Sequence, residues 1–130
     1  FAKMKAGDRD TLVWDQNLDP LSLYCGDESD GEALRACEQI TESLYAYELG
    51  GTKTIPALAT ECKANADLTV WTCALRQGVK FHDGADFDAN DVVLSFAAAW
   101  DTKHPLHIGR DGLFDYIPGN FGGFLNPPAS

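Results

Sequence analysis

Residues 61–76 read ECKANADLTVWTCALR, and the fold turns on this stretch. Thr69, Trp71, Cys73 and Leu75 alternate with residues of the other face, as a half-buried strand requires, and Asn65-Ala66-Asp67 supplies turn chemistry ahead of them. Setting Asp67 opposite Leu68 at the tip gives the pairs 66/69, 65/70, 64/71, 63/72 and 62/73. Cys62 and Cys73 then face each other across the ladder. Directly opposed residues have Cβ atoms ~4.5–5.5 Å apart, close to what a disulfide needs. A β-hairpin closed by Cys62–Cys73 is therefore expected.

Upstream, FAKMKAGDRD at 1–10 is polar and aperiodic and reads as a flexible lead-in. Thr11-Leu12-Val13-Trp14 reads as a brief strand, and Pro20 keeps the following chain extended. From Ser29 the period changes. Ser29 and Glu32 stand three apart like a capping box, and Ala33, Leu34, Cys37, Ile40, Leu44 and Tyr45 share one face, so the spacing predicts a helix from about 30 to 46. Gly50-Gly51 mark a turn, and Ile55-Pro56-Ala57-Leu58-Ala59 returns to extended chain. Downstream, Val79-Lys80-Phe81-His82-Asp83-Gly84 is a short extended piece ending in an Asp-Gly turn. Asp88 and Asp91 form a second N-cap pair for a helix to about 100, with Val92, Val93, Phe96, Ala97 and Trp100 as its apolar stripe. Pro105, Gly109 and Gly112 break the next stretch, before an aromatic segment through Phe114, Tyr116, Phe121 and Phe124.

At 130 residues, with 45% hydrophobic and 23% charged side chains, the chain fits one domain-sized globular unit. Disordered, collagenous and membrane-spanning classes are excluded by this composition, since no run approaches ~18 apolar residues. Twenty acidic against ten basic residues leave a formal charge of −10, which repels nucleic acid and anionic lipid, so neither nucleic acid binding nor membrane insertion is expected. The four cysteines fall in two close pairs, 25/37 and 62/73, with no CxxC or zinc spacing. Two local disulfides, Cys25–Cys37 and Cys62–Cys73, point to an oxidising, extracytoplasmic compartment. Four reduced, buried cysteines are the alternative. Phe1 opens no secretory leader, and the expectation is that a leader precedes these residues in the precursor.

Catalytic patterns are weak. His104 and His107 flank Pro105 without a third ligand nearby, and solvated loop histidines account for them better than a metal site. Aligning Gly31 with the fixed glycine of a calcium-binding EF-hand loop puts Gly26 first and Cys37 twelfth, so both anchoring carboxylates are missing. Asp27, Glu28, Asp30 and Glu32 are better explained as acids at a helix N-terminus. No GxSxG, Walker A or GxGxxG pattern is present. Trp14, Tyr24, Trp71, Phe81, Phe96 and Trp100 read first as core and second as the wall of a ligand cleft.

The order of these motifs resembles the amino-terminal part of the family 5 extracytoplasmic solute-binding proteins, the oligopeptide, dipeptide and nickel receptors of ABC importers. Thr11-Leu12-Val13 resembles their opening strand and Asp19-Pro20-Leu21-Ser22-Leu23 their Ser-Leu-Asp-Pro stretch, with Tyr24 and Cys25 in place of the usual final Asp-Pro. Gln39–Leu44, Ile55–Ala59 and Leu68–Arg76 are similar to the following helix, Pro-x-Leu-Ala stretch and strand. Val79–Gly84 and Asp88–Phe96 complete a collinear match over about 11–102. Cys62 and Cys73 stand where the family commonly has Trp and Phe.

This resemblance implies an α+β unit, the accessory lobe of a periplasmic-binding-protein-like II fold, in a two-lobed receptor that closes on its ligand and performs no chemistry. It implies 11–25 as edge strand and crossover from a larger lobe and 26–130 as the smaller lobe of a longer protein. It implies a peptide or other small polar solute, a membrane permease as partner, no cofactor, and a periplasmic or cell-surface location with lipid anchoring of the precursor left open. Ligand contacts carry over by alignment to Ser29, Asp30 and Gly31 and to Leu94, the last standing where peptide receptors carry an aromatic. N-capping is the competing role for Ser29 and Asp30. The alternatives are a small secreted hydrolase using His82 or His104, and a protein-interaction domain presenting 113–125.

Overall fold

The computed structural model describes residues 15–108, 114 and 116–127. The lead-in at 1–10 and the strand expected at Thr11–Trp14 lie outside the described residues. In chain order the elements are α1 (Gly31–Ile40), β1 (Tyr45–Tyr47), β2 (Thr54–Pro56), β3 (Ala59–Ala64), β4 (Trp71–Leu75), α2 (Ala89–Trp100) and α3 (Tyr116–Phe121). The strands form two antiparallel pairs, β1 with β2 and β3 with β4. Helix and sheet are mixed, as expected.

The β3–β4 ladder has the register read from the sequence, with Cys62 opposite Cys73, Lys63 opposite Thr72 and Ala64 opposite Trp71. Asn65 closes the loop, its amide donating to the Val70 carbonyl (2.9 Å) while its Oδ1 accepts from the Val70 amide (3.0 Å). Thr69 donates its hydroxyl to Asp67 Oδ1 (2.7 Å), which is the first cause holding the Asp67 carboxyl below its ordinary value. Leu68, at the tip, takes a left-handed φ of 61°. Both disulfides are present, Cys25–Cys37 with Cα atoms 5.6 Å apart and Cys62–Cys73 with Cα atoms 4.0 Å apart, and among the described residues no cysteine is free.

The first helix is shorter than its apolar period suggested. It ends at Ile40, where Thr41 is extended and turns both its amide (2.9 Å) and its hydroxyl (2.8 Å) onto the Cys37 carbonyl. Leu44 and Tyr45, counted on the helix face, instead lead into and begin β1. Tyr45 pairs with Pro56 and Tyr47 with Thr54 around a turn at Gly50-Gly51. Pairing partners distant in sequence override a local helical period, and β-prone Tyr45 and Tyr47 suit the strand. The N-cap of α1 is Asp30, whose Oδ1 accepts from the Ala33 amide at 2.9 Å, rather than Ser29. In α2 the expected cap is found: the Asp88 carboxylate accepts from the Asn90 amide while the Asp91 carboxylate accepts from the Asp88 amide, a full capping box.

Apart from Ala59 at the base of β3, packing concentrates away from the hairpins. Among the described residues the buried apolar groups are Ala33, Cys37, Ala59, Ala98 and Phe114. Phe114, 1% exposed, is the one large side chain of that set. His107 stacks on its face at 4.3 Å between ring centroids, and Tyr24 meets it edge-on at 6.0 Å. Its amide donates to the buried Asp27 Oδ1 at 3.0 Å. His107 donates Nδ1–H to the Ala98 carbonyl (2.9 Å) and touches Phe124 edge-on, and the Tyr24 hydroxyl donates to the Leu106 carbonyl (3.0 Å). Segments at 24–27, 98, 106–107, 114 and 124 therefore meet around one ring. The aromatics expected in the core lie largely outside it: Tyr24, Trp71, Phe81 and Phe96 are exposed and Trp100 is half-buried, while Trp14 lies outside the described residues.

A second joint holds the end of α2 to residues 123–126. Trp100 donates Nε1–H to the Gly123 carbonyl (2.8 Å), the Leu125 amide donates to the Trp100 carbonyl (2.9 Å), and the Thr102 amide donates to the Leu125 carbonyl (3.1 Å). Asp101 Oδ1 accepts from Asn126 Nδ2 and the Lys103 amide, both at 2.9 Å.

Two outcomes follow from these joints. Phe114→Ala empties the shared site and should cost about 3 kcal/mol or more, read as a lowered midpoint in chemical denaturation. The Asn126 bond, followed by the Lys103 amide, lowers the Asp101 carboxyl below its ordinary value of 3.8. Its contribution is complete above the unfolded-state value and is lost as pH falls through the lower folded-state value. Melting temperature should therefore lose an Asp101-dependent increment only below about pH 4, and Asp101→Asn should abolish that part of the acid dependence.

Candidate functional site

A cleft of about 950 Å³ lies between the C-terminal end of α1, the link 41–45, the turn at 79–82 and one face of α2. The turn is built by its sequence. The Gly84 amide donates to the Phe81 carbonyl (2.9 Å), Gly84 takes φ 89°, and the Asp83 carboxylate accepts from the Ala85 amide (2.9 Å). Lys80 pairs with Asp86 through both a β-bridge and a salt bridge, and Phe81 packs edge-on against Phe87 at 6.0 Å. The chain is thereby folded back so that Val79, Lys80, Phe81, His82 and Phe87 form one wall. Helical spacing puts Asp91, Val92, Ser95 and Phe96 on the facing wall. Leu44, Tyr45 and Leu58 add apolar surface, and Glu38, Glu42 and Ser43 add polar groups at the rim. An apolar surface with a few polar groups at its edge is suited to holding a small molecule.

The four residues expected to contact ligand lie elsewhere. Asp30 caps α1, Gly31 opens the helix with nothing within 4 Å of an added Cβ, and Ser29 is exposed beside them. Leu94 is exposed on α2, and its neighbours Asp91, Val92, Ser95 and Phe96 line the cleft without it. Ser29, Asp30 and Gly31 thus share one helix end, while Leu94 stands on a separate helix. Of the cleft residues, the sequence offers Phe81 and Phe96 as core first and cleft wall second, and His82 as a candidate for hydrolysis; it singles out none of the others for a site. Val92 and Phe96 belong to the apolar stripe of α2, and Asp91 and Ser95, four apart, set a polar edge beside it.

Two of the histidines considered for chemistry, His104 and His107, are engaged with backbone. His104 Nδ1 accepts from the Leu106 amide (3.2 Å), and His107 donates to Ala98. His82 is exposed at the cleft wall. Among the described residues no group of three or more His, Cys, Asp or Glu side chains could hold a metal ion, and no helix is long and apolar enough to cross a membrane.

With this geometry in place, comparison with known proteins assigns the class. Residues 53–111, which run from β2 through the hairpin, the 79–84 turn and α2, match the family of bacterial extracellular solute-binding proteins, family 5 (middle). Three curated relatives extend the match. Di/tripeptide-binding protein 2 of Pseudomonas aeruginosa is 36% identical across 71% of this chain and 18% of its own length. Heme-binding protein A of Haemophilus influenzae is 32% identical across 87% of this chain and 22% of its own. The nickel-binding periplasmic protein of Escherichia coli is 32% identical across 75% of this chain and 18% of its own. The chain belongs to the family 5 solute-binding proteins and corresponds to their N-terminal portion. It spans about a fifth of the length of the curated relatives it matches.

Proposed function

We propose that this chain forms the smaller, accessory lobe, residues 26–130, of an extracytoplasmic substrate-binding component of an ABC importer, with 11–25 crossing from the larger lobe. The observation that carries this reading is the family match over 53–111, supported by relatives that are named for binding di- and tripeptides, haem and nickel. A peptide or other small polar solute is held between the two lobes and passed to a membrane permease, and no bond is made or broken in it. Hinge closure of two lobes around a ligand supplies affinity by burying the ligand from both sides. One lobe presents half of such a site.

Ligand contact in this reading falls to Ser29, Asp30 and Gly31 at the start of α1 and to Leu94 on α2. The helix end offers backbone N–H groups and an acid, a pattern that suits a ligand bearing both a polar or anionic group and a cationic one. Asp30 serves both fold and ligand, because its carboxylate already caps the helix.

Thermal-shift measurement on the full-length protein against di- and tripeptides, nickel, haem and sugars is the direct test. A cognate solute at a hundred times its Kd should stabilise the protein by about 2.7 kcal/mol, and failure of every class to raise the melting temperature would count against the receptor reading. Asp30→Ala should lower stability by about 1 kcal/mol through the lost cap, with or without ligand. Ser29→Ala should weaken the ligand-induced shift, measured against the variant's own ligand-free melting temperature. An undiminished shift in the Ser29 variant would remove that residue from the site.

A further inference from the structure

The two disulfides differ in what else holds their surroundings. Cys37 is 3% exposed, and with Ala33 it is the buried contact of α1, so Cys25–Cys37 anchors a helix to an otherwise irregular segment. Cys25, Cys62 and Cys73 are all half-buried, so the two bridges differ in the near-complete burial of Cys37, and Cys62–Cys73 joins two strands that are already neighbours. Just beyond the paired strands the Asn65 amide donates to the Val70 carbonyl, in the phase of a hydrogen-bonded pair, while the Val70 amide goes to Asn65 Oδ1. Strict alternation along antiparallel strands then makes 63/72 the next such pair and leaves 62/73 as a non-hydrogen-bonded one. The ladder bonds thus run beside the cystine and do not pass through it.

The rest of the hairpin is held independently of sulfur. Asn65 Oδ1 and Nδ2 bond the Val70 amide (3.0 Å) and the Thr69 hydroxyl (3.1 Å), and the Thr60 hydroxyl donates to the Ala74 carbonyl (3.1 Å). At the base the Arg76 amide donates to the Leu58 carbonyl (2.8 Å) while its Nε–H donates to the Ala57 carbonyl (2.9 Å). Opening the bridge therefore leaves two thiols facing each other at the same register, ready to close again.

We propose that Cys62–Cys73 is a reversible thiol–disulfide exchange site, open to a dithiol reductant under conditions that leave Cys25–Cys37 intact. A thiolate of the dithiol attacks one of the two Sγ atoms. The S–S bond breaks, and the other Sγ leaves with the electron pair as a thiolate and takes a proton from water. The second thiol of the reductant, as thiolate, then attacks its own sulfur in the mixed disulfide, releasing the second cysteine thiolate, which is protonated in turn. Two electrons pass to the protein, and the reductant departs as a cyclic disulfide. Exchange is faster where either sulfur of a bridge can be reached, and a bridge with one sulfur buried in a helix contact offers the reductant less access.

The test is a graded dithiothreitol titration of the full polypeptide, trapped with iodoacetamide and mapped by peptide mass spectrometry, with circular dichroism and melting followed in parallel. Cys62 and Cys73 should become alkylated at a reductant concentration at least ~10-fold below that needed for Cys25 and Cys37, and dilution into an oxidised disulfide buffer before alkylation should restore the bridge. Strand content should persist once that pair is open. The double variant Cys62→Ser/Cys73→Ser should likewise keep the fold and a cooperative melt. Simultaneous opening of both bridges, earlier opening of Cys25–Cys37, or loss of the fold in the double variant would each overturn the proposal.

Discussion

The ring of Phe114 is the point through which the distant parts of this chain are held together. Strand pairing here is local, since each two-stranded unit joins elements adjacent in sequence. Long-range order comes from side chains and from the backbone joint between 100–102 and Leu125. Asp27, Tyr24 and His107 all reach Phe114, and His107 passes that contact on to α2 through Ala98 and to 123–126 through Phe124. The Cys25–Cys37 bridge then couples the same node to α1. A buried aromatic ring contributes through area and through preferred stacked or edge-on geometry, and the Phe114 ring has both kinds of neighbour.

Legibility in the sequence followed the range of the interaction. The hairpin register, both disulfides and the Asp88–Asp91 capping box depend on residues close in the chain and could be read by counting. The end of α1 could not, because β1 is specified by Thr54, Ile55 and Pro56, which lie beyond the window in which Leu44 and Tyr45 continue a helical period. Phe114 could not be ranked above the other aromatics for the same reason. Its burial is set by Tyr24 and Asp27, nearly ninety positions away. Trp71, by contrast, alternates like a core strand residue and is 63% exposed.

The candidate site divides in the same way. Ser29, Asp30, Gly31 and Leu94 came from likeness to a family, and the helix end that three of them share is visible in the fold as a capped N-terminus. The cleft between the 79–84 turn and α2 is a product of tertiary folding: one wall depends on Gly84 reversing the chain and on Lys80 meeting Asp86. No single motif signals it. Membership of the solute-binding family gives both surfaces a common context, in which Asp30 must satisfy a helix and Phe114 must hold that helix in place.

The register of the β3–β4 hairpin also bears on how the chain acquires its cross-links. Four cysteines admit about three complete pairings. Hairpins close in roughly microseconds, whereas thiol oxidation takes seconds or longer, so Cys62 and Cys73 are already side by side when the first bond forms. Within these residues that bond leaves Cys25 to pair with Cys37. Oxidative folding is thus steered to the native connectivity by an eleven-residue separation and the turn at 65–69, with no need for a later reshuffling step.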